Sequence, residues 1–311
     1  MENFVTLFDV FFLPQGLALH RSMVRNIKDF TLWILCVDDQ VYDLLIKLKL
    51  NNVRLLQLSK LETPELLAVK VTRNKGEYCW TLTPFAPRFV FEADQSINRV
   101  TYLDADLWFR QSPIEIFNEL ISSGKDVLIT DHGYAPEYDQ SATSGQYCVQ
   151  FMIFTRIGGE CVRKWWEERC LEWCFARHEG GKFGDQMYLD DWPTRFKDAV
   201  HVLGNQELAL APWNISRYPY NKSIFFHFQG LKIVNENLVD LGAMYPIIKP
   251  VKENIYKPYL VDLKKSIMEI KFIGFEIKNQ RCSVTRAEAI RRILRKIFNK
   301  FKNIDSGFEL I

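Results

Sequence analysis

The order in which the hydrophobic period changes along the chain constrains its fold more than any other feature. Short apolar runs rich in β-branched and aromatic residues, at 4–8, 31–37, 53–58, 100–103 and 127–130, alternate with stretches at 17–27, 41–50, 64–71, 84–93 and 114–121 whose apolar residues recur three and four positions apart. The first pattern suits a buried strand and the second a helix with one apolar face. A strand reached through a helix starts from the same end of the sheet as its predecessor, so such strands pair in parallel and their helices cover the faces. The expectation is an α/β fold with a mostly parallel, doubly wound sheet.

Beyond Tyr147 the pattern shifts to a strand at 149–154, a Trp-rich helix at 159–177, a further segment at 183–192 and strands near Val200 and Ile224. We therefore divide the chain into 1–146, a second half of the same domain at 147–260, and an extension at 261–311. With 311 residues and 48% hydrophobic composition, one large core is within reach. No apolar run approaches the roughly 18 to 20 residues of a membrane span. The first residues carry no basic leader and Asp9 interrupts the run at 4–13, which points to a cytoplasmic chain. Seven cysteines, irregularly spaced and mostly in apolar surroundings, read as reduced core residues; Cys170 and Cys174 lie four apart but lack the further ligands a zinc site needs.

Residues 286–302 set Ile290, Ile293, Leu294, Ile297, Phe298 and Phe301 on one helical stripe, with Arg291, Arg292, Arg295, Lys296 and Lys300 opposite. This segment carries +6 of a total of +2, which leaves −4 for the rest. Basicity confined to one helix argues against a nucleic-acid partner. Two fates fit such a helix: contact with an anionic membrane surface, peripherally on its inner face, or packing on the domain with the basic face in water.

The chemistry centres on Arg99-Val-Thr-Tyr-Leu-Asp-Ala-Asp-Leu-Trp108. Residues 100–103 read as a buried strand, and Asp104 and Asp106, two apart on extended chain leaving it, would face one side. Ligands gather at the carboxyl ends of strands in open parallel sheets. Two carboxylates there suit Mg²⁺ or Mn²⁺, and a divalent cation neutralises the charge that builds on a departing diphosphate. Asp-x-Asp also occurs in loops where it only caps a helix or faces water, so its position after a strand and within apolar flanks carries the weight.

Tyr102-Leu-Asp-Ala-Asp106 resembles the strand and Asp-x-Asp motif of the retaining glycosyltransferases of family 8, which have the GT-A fold. Phe226-His-Phe-Gln-Gly-Leu-Lys232 is similar to the family's His-x-x-Gly-x-x-Lys segment, with the Gly to Lys gap one residue shorter. Gly184-Asp-Gln-Met-Tyr-Leu-Asp-Asp-Trp192 resembles its Asp-Gln segment, and Asp131 follows a strand as the family's sugar-binding acid does. These matches run in order from residue 1 to 232.

The resemblance implies that His227 joins Asp104 and Asp106 around Mn²⁺ or Mg²⁺, and that Lys232 reaches a phosphate of a nucleotide-diphosphate sugar. Residues 1–146 would be the nucleotide-sugar-binding half and 147–260 the sugar- and acceptor-binding half. It implies catalytic places for Asp185 and Gln186 on the first turn of a helix beside the reacting sugar. Asp9 would contact the nucleotide base and Asp131 the sugar. Arg88 lies one position out of register with a donor-binding Arg, and Gln150, which replaces the family's small or Asn-rich pattern on that strand, is a further candidate for contact with sugar or acceptor. The implied activity is hexosyl transfer to a glycan or lipid-linked acceptor in cell-surface polysaccharide or lipopolysaccharide synthesis. Retention would let the departing phosphate act as base, whereas inversion would need Asp185, Asp190 or Asp191 for that task; the sequence leaves both open. A nucleotidyltransferase would open on a Gly-rich, basic phosphate loop, which Leu7-Phe-Asp-Val-Phe-Phe-Leu-Pro14 is not. A carbohydrate-binding protein without activity would have no use for the paired carboxylates.

Overall fold

The computed structural model describes residues 1–242, 244–276, 304, 305 and 308–311. Its first half holds β1 (Glu2–Phe8), α1 (Leu13–Asn26), β2 (Phe30–Cys36), α2 (Asp39–Leu48), β3 (Val53–Gln57), α3 (Pro64–Lys70), α4 (Lys75–Leu82), α5 (Phe85–Ala93), β4 (Arg99–Leu103), β5 (Leu107–Phe109), α6 (Ile114–Ser123), β6 (Val127–Asp131) and α7 (Ser141–Ser144). The second half adds β7 (Tyr147–Thr155), α8 (Glu160–Glu172), α9 (Trp192–Arg195), β8 (Val200–Val202), β9 (Ala209–Leu210), β10 (Phe225–His227), β11 (Lys232–Asn235), β12 (Leu238–Asp240) and β13 (Ile247–Ile248). α10 (Lys249–Val251) runs through a π-helical turn into α11 (Lys257–Phe272), and β14 (Ile304–Asp305) and β15 (Phe308–Leu310) pair with β13 and β12.

The central sheet has the order β3-β2-β1-β4-β7-β6-β8, and within it β7 runs against both neighbours while the other pairs are parallel. This is the mostly parallel α/β sheet the period changes call for. The strand period of two sorts side chains to its faces: Phe4, Phe8, Leu32 and Ile34 enter the core under α1 and α2, while Val5, Leu7, Trp33 and Leu35 join the core of α4, α5 and α8. From β1 the chain steps outward to β2 and β3, then crosses back to lay β4 on the opposite flank of β1. That reversal opens a crevice between the carboxyl ends of β1 and β4.

Two differences from the sequence reading have physical causes. α4 was not expected, because its apolar residues form no single stripe; it is set by the capping box in which Asn74 accepts from the Glu77 N–H and Glu77 accepts from the Asn74 N–H. The Trp-rich helix stops at Glu172, short of residue 177, because Trp173 turns to an extended conformation at φ −155° and ψ 123° and buries its ring against Phe175. α11 lies against α1, where buried Asp262 accepts from Arg25 and from the Trp108 indole at 2.8 Å. The basic stripe at 286–302 lies outside the described residues. Among the described residues no helix is long and apolar enough to cross a membrane, and no disulfide forms.

Candidate functional site

Asp104 and Asp106 converge by a turn, not by alternation along extended chain. The Leu107 N–H donates to the Asp104 carbonyl at 3.2 Å, so the chain reverses between β4 and β5 and brings both carboxylates to the concave side. β10 pairs antiparallel with β5 and sets His227 opposite Leu107. Ligand atoms of Asp104, Asp106 and His227 then lie within 4.8 Å of one another. His227 Nε2 stands 3.2 Å from Asp106 Oδ1 and 3.7 Å from Asp104 Oδ2.

The other ring nitrogen is committed behind the site. His227 Nδ1 donates to Gln150 Oε1 at 2.9 Å, Gln150 Nε2 donates to Thr130 Oγ1 at 3.3 Å, and the Thr130 hydroxyl donates to the Cys148 carbonyl, which can only accept. The end of that chain fixes every donor in it, so Nε2 is the nitrogen that faces the carboxylates. The Tyr102 hydroxyl likewise donates to Asp104 Oδ1 at 2.9 Å. Two carboxylates this close repel by about 3–4 kcal/mol at an effective dielectric near 20. Burial works against an imidazolium, yet Asp106 and Asp104 hold the His227 pKa well above its ordinary value, and burial raises that of Asp104. Two hydrogen bonds that orient ligand side chains, one on His227 and one on Asp104, and one excess of negative charge form a cradle that suits a hard divalent cation.

This trio forms part of the wall of a cavity of about 890 Å³ that also meets Asp9, Lys75, Asp185, Gln186, Tyr134 and Trp213. Asp9, just past β1, accepts from the Phe11 and Phe12 N–H groups and pairs with Lys75 at 2.7 Å; Lys75 also reaches Asp38 at 3.2 Å. Asp185 precedes a short 3-10 helix, Met187–Asp191, instead of sitting on the first turn of an α-helix. Its place is set by Gly184, whose φ of +54° suits glycine and where a Cβ would stand 3.2 Å from Trp80. The Trp166 indole donates to the Asp185 carbonyl at 2.8 Å. Among the described residues Asp185 Oδ2 has no partner although the residue is 3% exposed, and burial pushes its carboxyl up to about 7. Gln186 Nε2 donates to the Ser144 carbonyl at 2.5 Å.

Several residues singled out in the sequence do not line the cavity. Arg88 points from α5 toward α8, pairing with Glu92 at 2.7 Å and Glu167 at 3.6 Å; one position on a helix is a turn of about 100°, enough to carry a side chain off the cavity. Lys232 is exposed at the start of β11 while Leu231 is buried, because shortening an extended segment by one residue exchanges its faces. Asp131 accepts from the Gly133 N–H and from Gln146, which ties the end of β6 to the loop before β7. Gln150 is fully buried behind His227 instead of facing a ligand. Asp191 pairs with Arg195 at 2.7 Å, and Asp190 accepts from the Gln146 N–H. Tyr102, Lys75, Tyr134 and Trp213 were not singled out. Tyr102 had a signal, since it stands two residues before Asp104 and shares its side of the strand; the others come from separate helices and loops that no local pattern joins.

A sheet that reverses its strand order beside a partly buried Asp-Asp-His cradle defines a GT-A-type α/β fold. The galactosyltransferase LgtC, solved in complex with donor and acceptor sugar analogs, superposes with a TM-score of 0.54 at 12% identity over 85% of this chain and 95% of LgtC. The bifunctional glycosyltransferase WbbM superposes at 0.53 with 14% identity, over 89% of this chain and 52% of WbbM. At such identities the likeness is one of fold. No protein-family model matches the chain. It belongs to the family of the uncharacterized Bacillus subtilis proteins YfnD and YfnF: it is 32% identical to YfnD over 271 residues, 81% of this chain and 85% of YfnD, and 32% identical to YfnF over 251 residues, 72% and 80%.

Proposed function

We propose that this protein is a metal-dependent glycosyltransferase that moves a hexose-type sugar from a nucleotide-diphosphate donor to a glycan acceptor, with retention, as a member of or close kin to glycosyltransferase family 8. The observation that carries the reading is the Asp104, Asp106 and His227 cradle at the strand-order reversal, on the wall of a cavity large enough for a nucleotide sugar. Charge supports it. Asp9, Asp104, Asp106 and Asp185 face the cavity, and among the described residues Lys75 is its only Lys or Arg. A diphosphate entering such a space would be repelled unless a cation came with it.

Mn²⁺ or Mg²⁺ held by Asp104, Asp106 and His227 would supply the positive charge that lets the diphosphate depart. Gln150 and Tyr102 keep those ligands aimed. Lys75 and Asp9, at the carboxyl end of β1, are assigned to the nucleoside. The unpartnered Asp185 Oδ2 is assigned to a donor sugar hydroxyl, which would satisfy it, and Gln186 to positioning the reacting face. Arg88, Asp131 and Lys232 receive no donor contact in this reading. Inversion would leave Asp185 as the acid on the cavity able to take the acceptor proton, since Asp191 is occupied by Arg195.

A pathway in surface polysaccharide or lipopolysaccharide synthesis, on the cytoplasmic side, fits this chemistry. The +6 segment at 286–302 supports a peripheral hold on an anionic membrane surface. The test is a screen of nucleotide-diphosphate sugars with Mn²⁺, with Mg²⁺ and with chelator, followed by the anomeric configuration of the product. Metal-dependent turnover that Asp106→Asn abolishes without loss of fold is expected; turnover unaffected by chelator or by Asp106→Asn would defeat the reading.

A further inference from the structure

Two residues of the cavity wall, Met244 and Tyr245, lie on the turn between β12 and β13. Tyr245 is almost buried; its hydroxyl accepts from Gln140 Nε2 at 2.8 Å and its ring meets Tyr138 edge to face at 5.1 Å. On the other side of the turn Gly242, at φ +87°, lies so near residue 230 that a Cβ would stand 3.3 Å from the Gly230 carbonyl oxygen. The turn therefore packs at one side on the loop between β6 and β7 and at the other on the residues that follow His227. Its place decides the shape of that wall.

Both stems of the turn are held by one later piece of chain. β15 pairs antiparallel with β12, matching Leu238 with Leu310 and Asp240 with Phe308, and β14 pairs antiparallel with β13, matching Ile247 with Asp305 and Ile248 with Ile304. β12 has β11 as a second neighbour, but among the described residues β13 has β14 alone. A two-residue strand does not hold its extended backbone unaided, so the stem nearest Tyr245 depends on β14. The later segment is fixed in turn by its own contacts. The Ile311 N–H donates to the Asn237 carbonyl at 3.0 Å, Lys264 Nζ donates to the Ile311 backbone oxygen at 2.8 Å, and Glu309 pairs with Lys252 at 2.8 Å. Ile311 also packs on the core that β10, β11, β12 and α11 share.

We infer that residues 304–311 are a positioning element of the cavity: paired on both sides of one turn, they hold Tyr245 in the wall, and the site is complete only with this segment seated. Its link to turnover rests on the glycosyltransferase reading above. The metal ligands do not depend on it, because the pairing of β5 with β10 sets His227 beside Asp104 and Asp106. Unseating the segment should therefore loosen the wall and leave the affinity for a cation as it was. An element that merely stabilised the whole fold would move both together.

The test uses the full chain. Glu309 stands opposite Val239, and since the Ile311 N–H faces β12, the Glu309 N–H two residues earlier faces it too. Glu309→Pro thus removes a ladder donor together with the partner of Lys252. Glu309→Lys removes the ion pair alone, and adding Lys252→Glu restores it with the charges exchanged. Hydrogen exchange followed by mass spectrometry is expected to quicken about tenfold at 238–248 and at 136–146 in Glu309→Pro, and less in Glu309→Lys. It should return toward wild type in the exchanged pair, with 2–8 and 30–36 unchanged throughout and Mn²⁺ affinity equal to that of wild type. Hydrolysis of UDP-, GDP-, CDP-, dTDP- and ADP-glucose and of UDP-galactose reads the site itself. For a sugar nucleotide that turns over, kcat/KM should fall in Glu309→Pro as it does in Tyr245→Leu, and the two changes together should cost no more than either alone. Unchanged exchange at 136–146 in Glu309→Pro would overturn the inference, as would additive losses from Glu309→Pro and Tyr245→Leu, or full activity in Tyr245→Leu. If none of the sugar nucleotides turns over with Mn²⁺, the glycosyltransferase reading falls, and the exchange rates by themselves decide whether the segment positions the wall.

Discussion

Replacing Gln150 by leucine isolates the contribution of the groups behind the cradle, because the substitution keeps the size of the side chain and touches neither carboxylate. In the native chain Gln150 receives the His227 Nδ1 proton at 2.9 Å and passes the series on through Thr130 to the Cys148 carbonyl. Leucine would leave the Nδ1–H and the Thr130 hydroxyl without their partner in a region where Gln150 and Thr130 are almost fully buried. Each orphaned polar group costs about 1–3 kcal/mol. His227 can relieve its own loss by taking the other tautomer, but then Nε2 carries the proton and offers no lone pair to a cation. Removing an orienting partner of a metal-bound histidine typically lowers affinity about 10- to 100-fold, and we expect Mn²⁺ binding to fall by that factor. Titration followed by electron paramagnetic resonance of free Mn²⁺ measures it directly, with urea unfolding to report stability. Gln150→Glu, which still accepts from Nδ1, should keep most of the affinity. Equal Mn²⁺ affinity in Gln150→Leu and wild type would show that the buried relay does not aim His227.

Asp185→Asn tests the buried carboxyl by linkage. Burial pushes its carboxyl up to about 7, against about 3.9 for a free aspartate; the folded state therefore binds the extra proton between these values, and stability falls as pH rises from about 4 to 7, by up to ~4 kcal/mol. The metal-free variant should gain stability over wild type across that window and hold the gain above it; parallel urea midpoints from pH 4 to 8 would refute this. Gly184→Ala should cost about 1–2 kcal/mol, since alanine at φ +54° is strained, and should depress turnover further by displacing Asp185; an unchanged melting temperature would count against it. Lys75→Met removes a half-exposed ammonium from Asp9 and Asp38, so the stability change should stay within about 1 kcal/mol while nucleoside diphosphate affinity drops; unaltered affinity in calorimetry would remove Lys75 from the donor site. Exchanging Arg291, Arg292, Arg295 and Lys296 for glutamine should weaken sedimentation with anionic vesicles and flatten its salt dependence, at about 1 kcal/mol per charge; equal binding would leave that segment without a membrane role.

The sheet was legible because β1 and β2 are buried on both faces, which writes a nearly continuous apolar run into the sequence, and each is followed by a helix that writes a different period. Asp104 and Asp106 were legible for a related reason: they break an apolar run where a strand ends. The turn between β4 and β5 was not, since Asp104 to Leu107 would read equally well as extended chain, and it takes the pairing of β5 with β10 to bend it. Lys232 shows the limit from the other side. A motif carried over with one residue missing keeps its letters but loses its facing, and in an extended segment that sends the side chain to the opposite surface.

What remained illegible is the half of the cavity built by convergence. Tyr134 follows β6, Trp213 follows β9, and Met244 and Tyr245 precede β13, so more than a hundred residues separate pieces of one wall. Nothing local distinguishes these aromatics from the many that fill the core, such as Trp166 and Trp192, whose rings meet edge to face at 5.4 Å with no exposure. The distinction appears only when the wall is assembled: Tyr134, Trp213, Met244 and Tyr245 line the cavity that also holds Asp104, Asp106 and His227, while Trp166 and Trp192 do not.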